Sequence, residues 1–212
     1  MTTFLIIRHG QSASNAAATL TGQLDIALTE TGIKQGQMAS EYIFNNYKVD
    51  RIYSSDLIRA SSTVQRLSEL TGLDVTLSKN LREMNCGEWQ GRKVSDLMAE
   101  YGEYYERWKD HDTLAFPPKG ESFTDLQKRA FNEIERIRKE NDGKTIVIAT
   151  HGGVIKVLTG AFLKLPMSEW KEKLPYVSNA SVTKVVFDND YKIIETVDHY
   201  LGDIKTEMPK GI

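Results

Sequence analysis

Two short apolar runs, each ending at a histidine, constrain the fold of this chain more than any other feature of its sequence. Phe4–Ile7 gives way abruptly to Arg8, His9 and Gly10, and Thr145–Ala149 gives way to Thr150, His151, Gly152 and Gly153. A run without polar alternation fits a strand covered on both faces, as in a parallel sheet with helices on either side. Two such strands deliver a histidine each at their carboxyl ends.

Weaker strand patterns at Arg51–Tyr53 and Val75–Leu77 run into SSDLIRA and LREMNCGEWQG. Helical periodicity fills the gaps, over about Glu30–Asn45, Leu57–Leu70, Val94–Lys109 and Val154–Leu163. The clearest helix follows Ser122: Asp125 completes a capping box, and Phe123, Leu126, Ala130, Ile134 and Ile137 share one face. Val182–Phe187 and Tyr191–Val197, separated by Asp188, Asn189 and Asp190, read as a hairpin, with an irregular tail after Asp198. Strands alternating with helices predict an α/β fold: a doubly wound, mostly parallel sheet with one antiparallel edge strand and helices on both faces. Residues 1–212 form one domain, with an insertion over the site at about 91–120.

Composition fits that reading, since 212 residues at 40% hydrophobic suffice for one full core. The single cysteine, Cys86, excludes an intrachain disulfide framework, and MTTFLIIRHG lacks a basic n-region and a long apolar h-region, so a cytoplasmic chain is expected. No apolar run approaches the roughly 20 residues that span a bilayer. A net charge of −2 argues against a general nucleic-acid or membrane surface, so any positive site must be local. The number of copies is open, and a homo-oligomer is compatible with the sequence.

Ligands of open α/β sheets sit outside the carboxyl ends of the strands, where the chain order reverses. The loops there carry Arg8, His9, Arg59, Glu83 and His151. That combination suits a small phosphorylated metabolite: planar guanidinium groups can meet phosphoryl oxygens bidentately, and a neutral imidazole can attack phosphorus near pH 7 without a metal. His9 is the candidate nucleophile, with Arg8 and Arg59 as the clamp. Glu83 could protonate the leaving alkoxide if burial or a bound phosphate raises its pKa, and later activate water. A protonated His151 would add a charged donor, and the Gly152 and Gly153 amides, where a helix begins, favour anions.

Five motifs occur in order from Arg8 to roughly Asn179: RHGQSASN, TGQLDIALTETG, SSDLIRA, LRE with its GEWQG tail, and THGG. Together they resemble the histidine phosphatase superfamily, which includes the cofactor-dependent phosphoglycerate mutases. The resemblance implies a phosphohistidine on His9, a phosphate pocket of Arg8, Arg59 and His151, Glu83 as proton donor, and Asn15, Thr21, Gly22 and Gln23 along the substrate side. It implies no cofactor and no metal. Mutases of this superfamily follow their glutamate with Arg-His-Tyr-Gly, whereas Glu83 leads here into Met84, Asn85, Cys86 and Gly87. That departure, the shorter chain and the GEWQG tail favour hydrolysis of small phosphomonoesters over mutase chemistry, the alternative.

Other readings explain less. CGEWQGR, Cys86 to Arg92, has the cysteine–arginine spacing of thiol-dependent phosphatases, but it contains Glu88 and bulky Trp89, so Cys86 reads as a packing residue. GKT at Gly143–Thr145 lacks the upstream glycine of a nucleotide loop and precedes a strand; it reads as a turn. The Asn179 sequon has no meaning in a cytoplasmic chain. No ligand pair at helical or CxxC spacing supports zinc. His111 is expected on the surface of the insertion and His199 near a frayed end. A non-catalytic phospho-ligand binder ranks below the enzyme, because nucleophile, clamp and acid are all present.

Overall fold

The computed structural model describes residues 1–174 and 177–205. In chain order the elements are β1 (Thr2–Arg8), α1 (Ala13–Ala16), α2 (Glu30–Asn46), β2 (Arg51–Ser55), α3 (Ile58–Thr63), α4 (Gln65–Thr71) and β3 (Val75–Ser78). They continue with α5 (Val94–Tyr101), α6 (Glu103–Lys109), α7 (Phe123–Glu140), β4 (Thr145–Thr150), α8 (Gly152–Phe162), α9 (Trp170–Lys173), β5 (Val182–Asp188) and β6 (Asp190–Val197). The six strands form one sheet in the order β3-β2-β4-β1-β5-β6.

The sheet is mostly parallel. Only β5 runs opposite to the other five strands, and it lies inside the edge, with β6 outermost. The hairpin therefore supplies both strands of the antiparallel side, turning at Asn189, a non-glycine residue in the left-handed region at φ 65°.

Side chains alternate across β1. Leu5 and Ile7 pack with Ala39 and Ile43 of α2 and Ala60, Val64 and Leu67 of the α3–α4 segment, while Phe4 and Ile6 pack with α7 and α8 on the other face. Covering both faces is what makes an unbroken apolar strand favourable, each buried Ile or Leu contributing about 1.5–3 kcal/mol. The Ser122–Asp125 capping box forms as the sequence predicts, and α7 buries Phe123, Leu126, Ala130, Ile134 and Ile137.

Three predicted boundaries shift for local reasons. The segment 57–70 is two helices, because the Thr63 hydroxyl donates to the Arg59 carbonyl at 2.7 Å and competes with continuation of the helix. The segment 94–109 is broken at Gly102, whose φ of 48° and ψ of −121° no α-helix contains. Residues His199–Ile204 form 3₁₀ turns where an irregular tail was expected, and His199 packs edge-on against Tyr42 instead of fraying. No helix among the described residues is long and apolar enough to cross a membrane.

Candidate active site

Strand register accounts for the juxtaposition of the two histidines. Arg8 on β1 is paired with Thr150 on β4, so the next residue of each strand, His9 and His151, emerges at the same level. β1 and β4 are also where the winding reverses, since the chain leaves β1 toward β2 and leaves β4 toward β5. The two imidazole rings stand 5.1 Å apart at 60°, and both residues are buried.

His9 is held from three sides. Its carbonyl accepts the Asn179 side-chain amide at 2.9 Å and the Ala180 N–H at 3.2 Å, while its own N–H donates to the Thr150 carbonyl at 2.9 Å. The next residue is fixed too, for the Gly10 N–H donates to Thr63 Oγ1 at 3.0 Å. Gly10 packs so tightly on the Gly32 backbone that a Cβ there would collide with it. The His9 Nδ1 lies 2.7 Å from the Gly10 carbonyl, an acceptor only, so Nδ1 carries the ring proton and Nε2 keeps a lone pair. Burial first, then the Arg59 and Arg8 guanidinium groups, hold His9 well below 6.5, which leaves the imidazole neutral at pH 7.

His151 departs from expectation. Burial, then Arg59 and His9, push it well below 6.5, so the ring is neutral at pH 7 and not the expected imidazolium. Its Nε2 is 2.9 Å from Ser55 Oγ, which also accepts the Leu57 N–H at 3.3 Å and can give its own proton to the ring. The other ring nitrogen, Nδ1, has no hydrogen-bond partner among the described residues, so it is the atom the ring can offer to a ligand.

Arg59 is almost fully buried, and its guanidinium donates to the Gly22 carbonyl at 2.8 Å and the Leu24 carbonyl at 2.7 Å. It thereby fastens the loop after Leu20 to the strand ends. Arg8 donates from Nη1 to the Val177 carbonyl at 2.7 Å.

The Glu83 carboxylate is set by backbone amides: it accepts the Met84 N–H at 2.9 Å and the Gly153 N–H at 3.1 Å. The Gly153 amide at the start of α8 thus holds an anion, as expected there, but the anion is Glu83. The Glu83 backbone is fixed from below by Arg129 of α7, whose guanidinium donates to the carbonyls of Arg82 at 2.7 Å and Glu83 at 2.8 Å. Arg82 itself turns away to a bidentate pair with Asp56, both contacts 2.6 Å.

These groups line one cavity of about 180 Å³. Arg8, His9, Asn15, Thr21, Gly22, Arg59, Glu83 and Gly152 all contribute to its wall. Gln23 and His151 are not among the lining residues; Gln23 donates to the Glu83 carbonyl at 3.0 Å and so acts behind the wall. Trp108, Lys109, His111, Phe123 and Lys156 line the same cavity. His111 is therefore no surface residue: it is buried against Phe123 and Trp170, and burial lowers its pKa to about 4.

Cys86 is a packing residue. It is buried, and burial pushes its thiol well above the ordinary value, the opposite of what a thiolate nucleophile needs. Arg92, its partner in spacing, pairs with Glu100 at the surface, and Trp89 between them sits fully buried in a cluster with Tyr101, Tyr104, Tyr105 and Trp108. Among the described residues, no three His, Cys, Asp or Glu side chains are grouped to hold a metal ion.

Sequence reasoning missed Thr63, Ser55, Arg129, Lys156 and Asn179. The sequon at Asn179 drew attention to the right residue for the wrong reason, since its amide holds the His9 carbonyl.

Fold and crevice together define a doubly wound α/β protein whose ligand pocket opens at the β1–β4 switch point. A family model described as the histidine phosphatase superfamily (branch 1) matches residues 4–199, and the chain belongs to that superfamily. It is 34% identical over 189 residues to a glucosyl-3-phosphoglycerate phosphatase of Mycobacterium tuberculosis, covering 85% of this chain and 83% of the relative. The structure of a mycobacterial glucosyl-3-phosphoglycerate phosphatase with VO3 has a TM-score of 0.84 at 31% identity, covering 91% of this chain and 96% of the other. Phosphoglycerate mutase-like protein 4 of Arabidopsis thaliana is 34% identical over 156 residues, covering 73% of this chain and 68% of the relative. A phosphoserine phosphatase of Entamoeba histolytica in complex with 3-phosphoglyceric acid has a TM-score of 0.83 at 27% identity, covering 95% and all of the two chains.

Proposed function

We propose that this protein hydrolyses small phosphomonoesters by double displacement through a phosphohistidine on His9. The observation that carries the reading is the His9 ring: neutral, with Nδ1 pinned to the Gly10 carbonyl and Nε2 left with its lone pair beside two arginines. That ring needs neither a base nor a metal to become nucleophilic.

In the first step Nε2 attacks phosphorus, the bond to the ester oxygen breaks, and protonated Glu83 gives its proton to the leaving alkoxide. In the second, the Glu83 carboxylate takes a proton from water, the water oxygen attacks phosphorus, and the phosphorus–nitrogen bond breaks to restore the imidazole. Glu83 ends protonated, so the cycle closes. Arg8, Arg59 and the Nδ1–H of His151 stabilise charge on the equatorial oxygens throughout. A neutral His151 still serves as a donor, and a bound phosphoryl dianion favours its protonation.

Phosphatase names among the relatives support hydrolysis, and mutase-like names keep the isomerase as the alternative. Where the mutase pattern has arginine and tyrosine after the glutamate, this chain has Met84 and Cys86, both buried. The reading places the enzyme in the cytoplasm, in keeping with a buried, unpaired Cys86.

The test is phosphate release from a panel of sugar, glycerate and nucleotide monoesters by wild type and His9→Ala. Release that disappears in His9→Ala supports the proposal; isomerised phosphoglycerate that depends on a bisphosphate primer, with little free phosphate, replaces it with the mutase.

A further inference from the structure

Gln35 places an amide where packing alone would favour an apolar side chain. It is fully buried, in the stripe of α2 that also buries Gly32, Gly36, Ala39 and Ile43. A buried amide is costly unless its oxygen and its nitrogen both find partners. The Gln35 oxygen accepts the Gln11 N–H at 2.8 Å, and its nitrogen donates to the Ile204 carbonyl at 2.7 Å. The first partner can only donate and the second can only accept, so the amide has a single orientation. Gly32, one turn earlier on the same face, permits the close approach, since a Cβ there would collide with the Gln11 carbonyl.

The contact gains its importance from the peptide it holds. The Gln11 N–H and the Gly10 C=O are the two ends of one planar trans peptide, so they point in opposite directions and turn together. That Gly10 carbonyl is the group 2.7 Å from His9 Nδ1. Holding the N–H therefore aims the carbonyl at the ring, and the carbonyl keeps the ring proton on Nδ1 and the lone pair on Nε2. The preceding peptide has its own supports, Thr63 Oγ1 on the Gly10 N–H at 3.0 Å and the Asn179 amide on the His9 carbonyl at 2.9 Å. Those contacts place the His9 backbone, whereas Gln35 acts on the next peptide, the one that faces the imidazole.

We propose that Gln35 is a positioning residue for the nucleophile: through the Gly10–Gln11 peptide it holds the His9 imidazole in the tautomer whose Nε2 can attack phosphorus. This rests on the reading of His9 as nucleophile given above. Gln35 does not line the cavity and touches no reacting atom, so its effect passes through His9 alone.

Nitrogen NMR of the full-length protein, carrying isotope-labelled histidine, reads the ring directly, with the His9 signals identified by their loss in His9→Ala. At pH 7 the wild type should show one tautomer, with Nδ1 protonated and Nε2 bare. Gln35→Met, similar in volume but without the amide, should move both nitrogens toward the averaged values of an unheld ring. It should also lower kcat about tenfold, equally for alkyl and p-nitrophenyl phosphates, because one nucleophile serves both. Gln35→Glu keeps an oxygen for the Gln11 N–H and should keep the wild-type tautomer. A tautomer retained in Gln35→Met overturns the proposal, and so does one lost in Gln35→Glu, which is readable whether or not the Gln35→Met protein folds. A wild-type ring protonated on Nε2 overturns it as well. Phosphate release reports separately on the phosphatase reading: its absence in the wild type, alongside a Gln35-dependent tautomer, would remove the hydrolysis and leave the hold on the imidazole standing.

Discussion

The carboxylate of Glu83 accepts the Gly153 amide hydrogen at 3.1 Å, so the group assigned to both proton transfers is held against the first turn of α8. Helix and carboxylate meet closely enough that a Cβ at position 153 would fall inside the van der Waals envelope of Glu83 Oε1. Gly153→Ala should therefore displace the carboxyl group without unfolding the helix, whose propensity alanine improves. The expected outcome is a loss in kcat on the order of 10²-fold with an unchanged circular dichroism spectrum, measured by steady-state phosphate release.

Glu83→Gln keeps the shape of the side chain and removes the proton. Alkyl phosphates, whose leaving alkoxide must be protonated, should lose about 10²–10⁴-fold in kcat. p-Nitrophenyl phosphate, with its stable leaving anion, should lose far less in the same assay. An equal loss on both classes would assign Glu83 a purely structural role.

Buried neutral imidazoles fix the direction of the acid response. His9 and His151 are held well below 6.5 and His111 at about 4, whereas in the unfolded chain each titrates near 6.5. Below that value the unfolded state binds more protons than the native state, so stability falls with falling pH and is fully retained above it. Thermal unfolding from pH 7 down to about 4 should show a progressively lower Tm. The acid limb of kcat/KM should lie below pH 6.5, because the nucleophile stays neutral into the acid range; a limb centred at or above 6.5 contradicts this.

How far the sequence predicts this molecule depends on the range of the interactions involved. Phe4–Ile7 and Thr145–Ala149 specify buried strands through local composition, and their abrupt ends locate Arg8, His9 and His151 at the rim. The register that sets Arg8 opposite Thr150 follows from packing across 142 positions and has no local signal. His111 reads as exposed because it is a polar residue in a polar stretch, whereas it packs tilted on Phe123 and edge-on against Trp170 from distant segments. Likewise Arg129 lies off the apolar stripe of α7 and reads as a solvated charge until the fold brings the carbonyls of Arg82 and Glu83 within reach of its guanidinium. The protonation state of His151 depends on burial and neighbouring arginines, which the sequence does not order in space.

The thiol-phosphatase spacing at Cys86 makes a separate prediction. Cys86→Ser should retain kcat within a few-fold while lowering stability by about 1–3 kcal/mol, because a hydroxyl replaces a small apolar group in a buried position. Activity should also survive excess chelator. Denaturant unfolding paired with phosphate-release kinetics reads both effects.

The most direct test of the central claim is to quench the enzyme during turnover of a phosphate-labelled monoester in alkali and locate the label by mass spectrometry. The account predicts a phosphoryl group on His9 that survives base, is lost in acid and is missing from His9→Ala. An acid-stable phosphoenzyme, or label that persists when His9 is replaced, would contradict it.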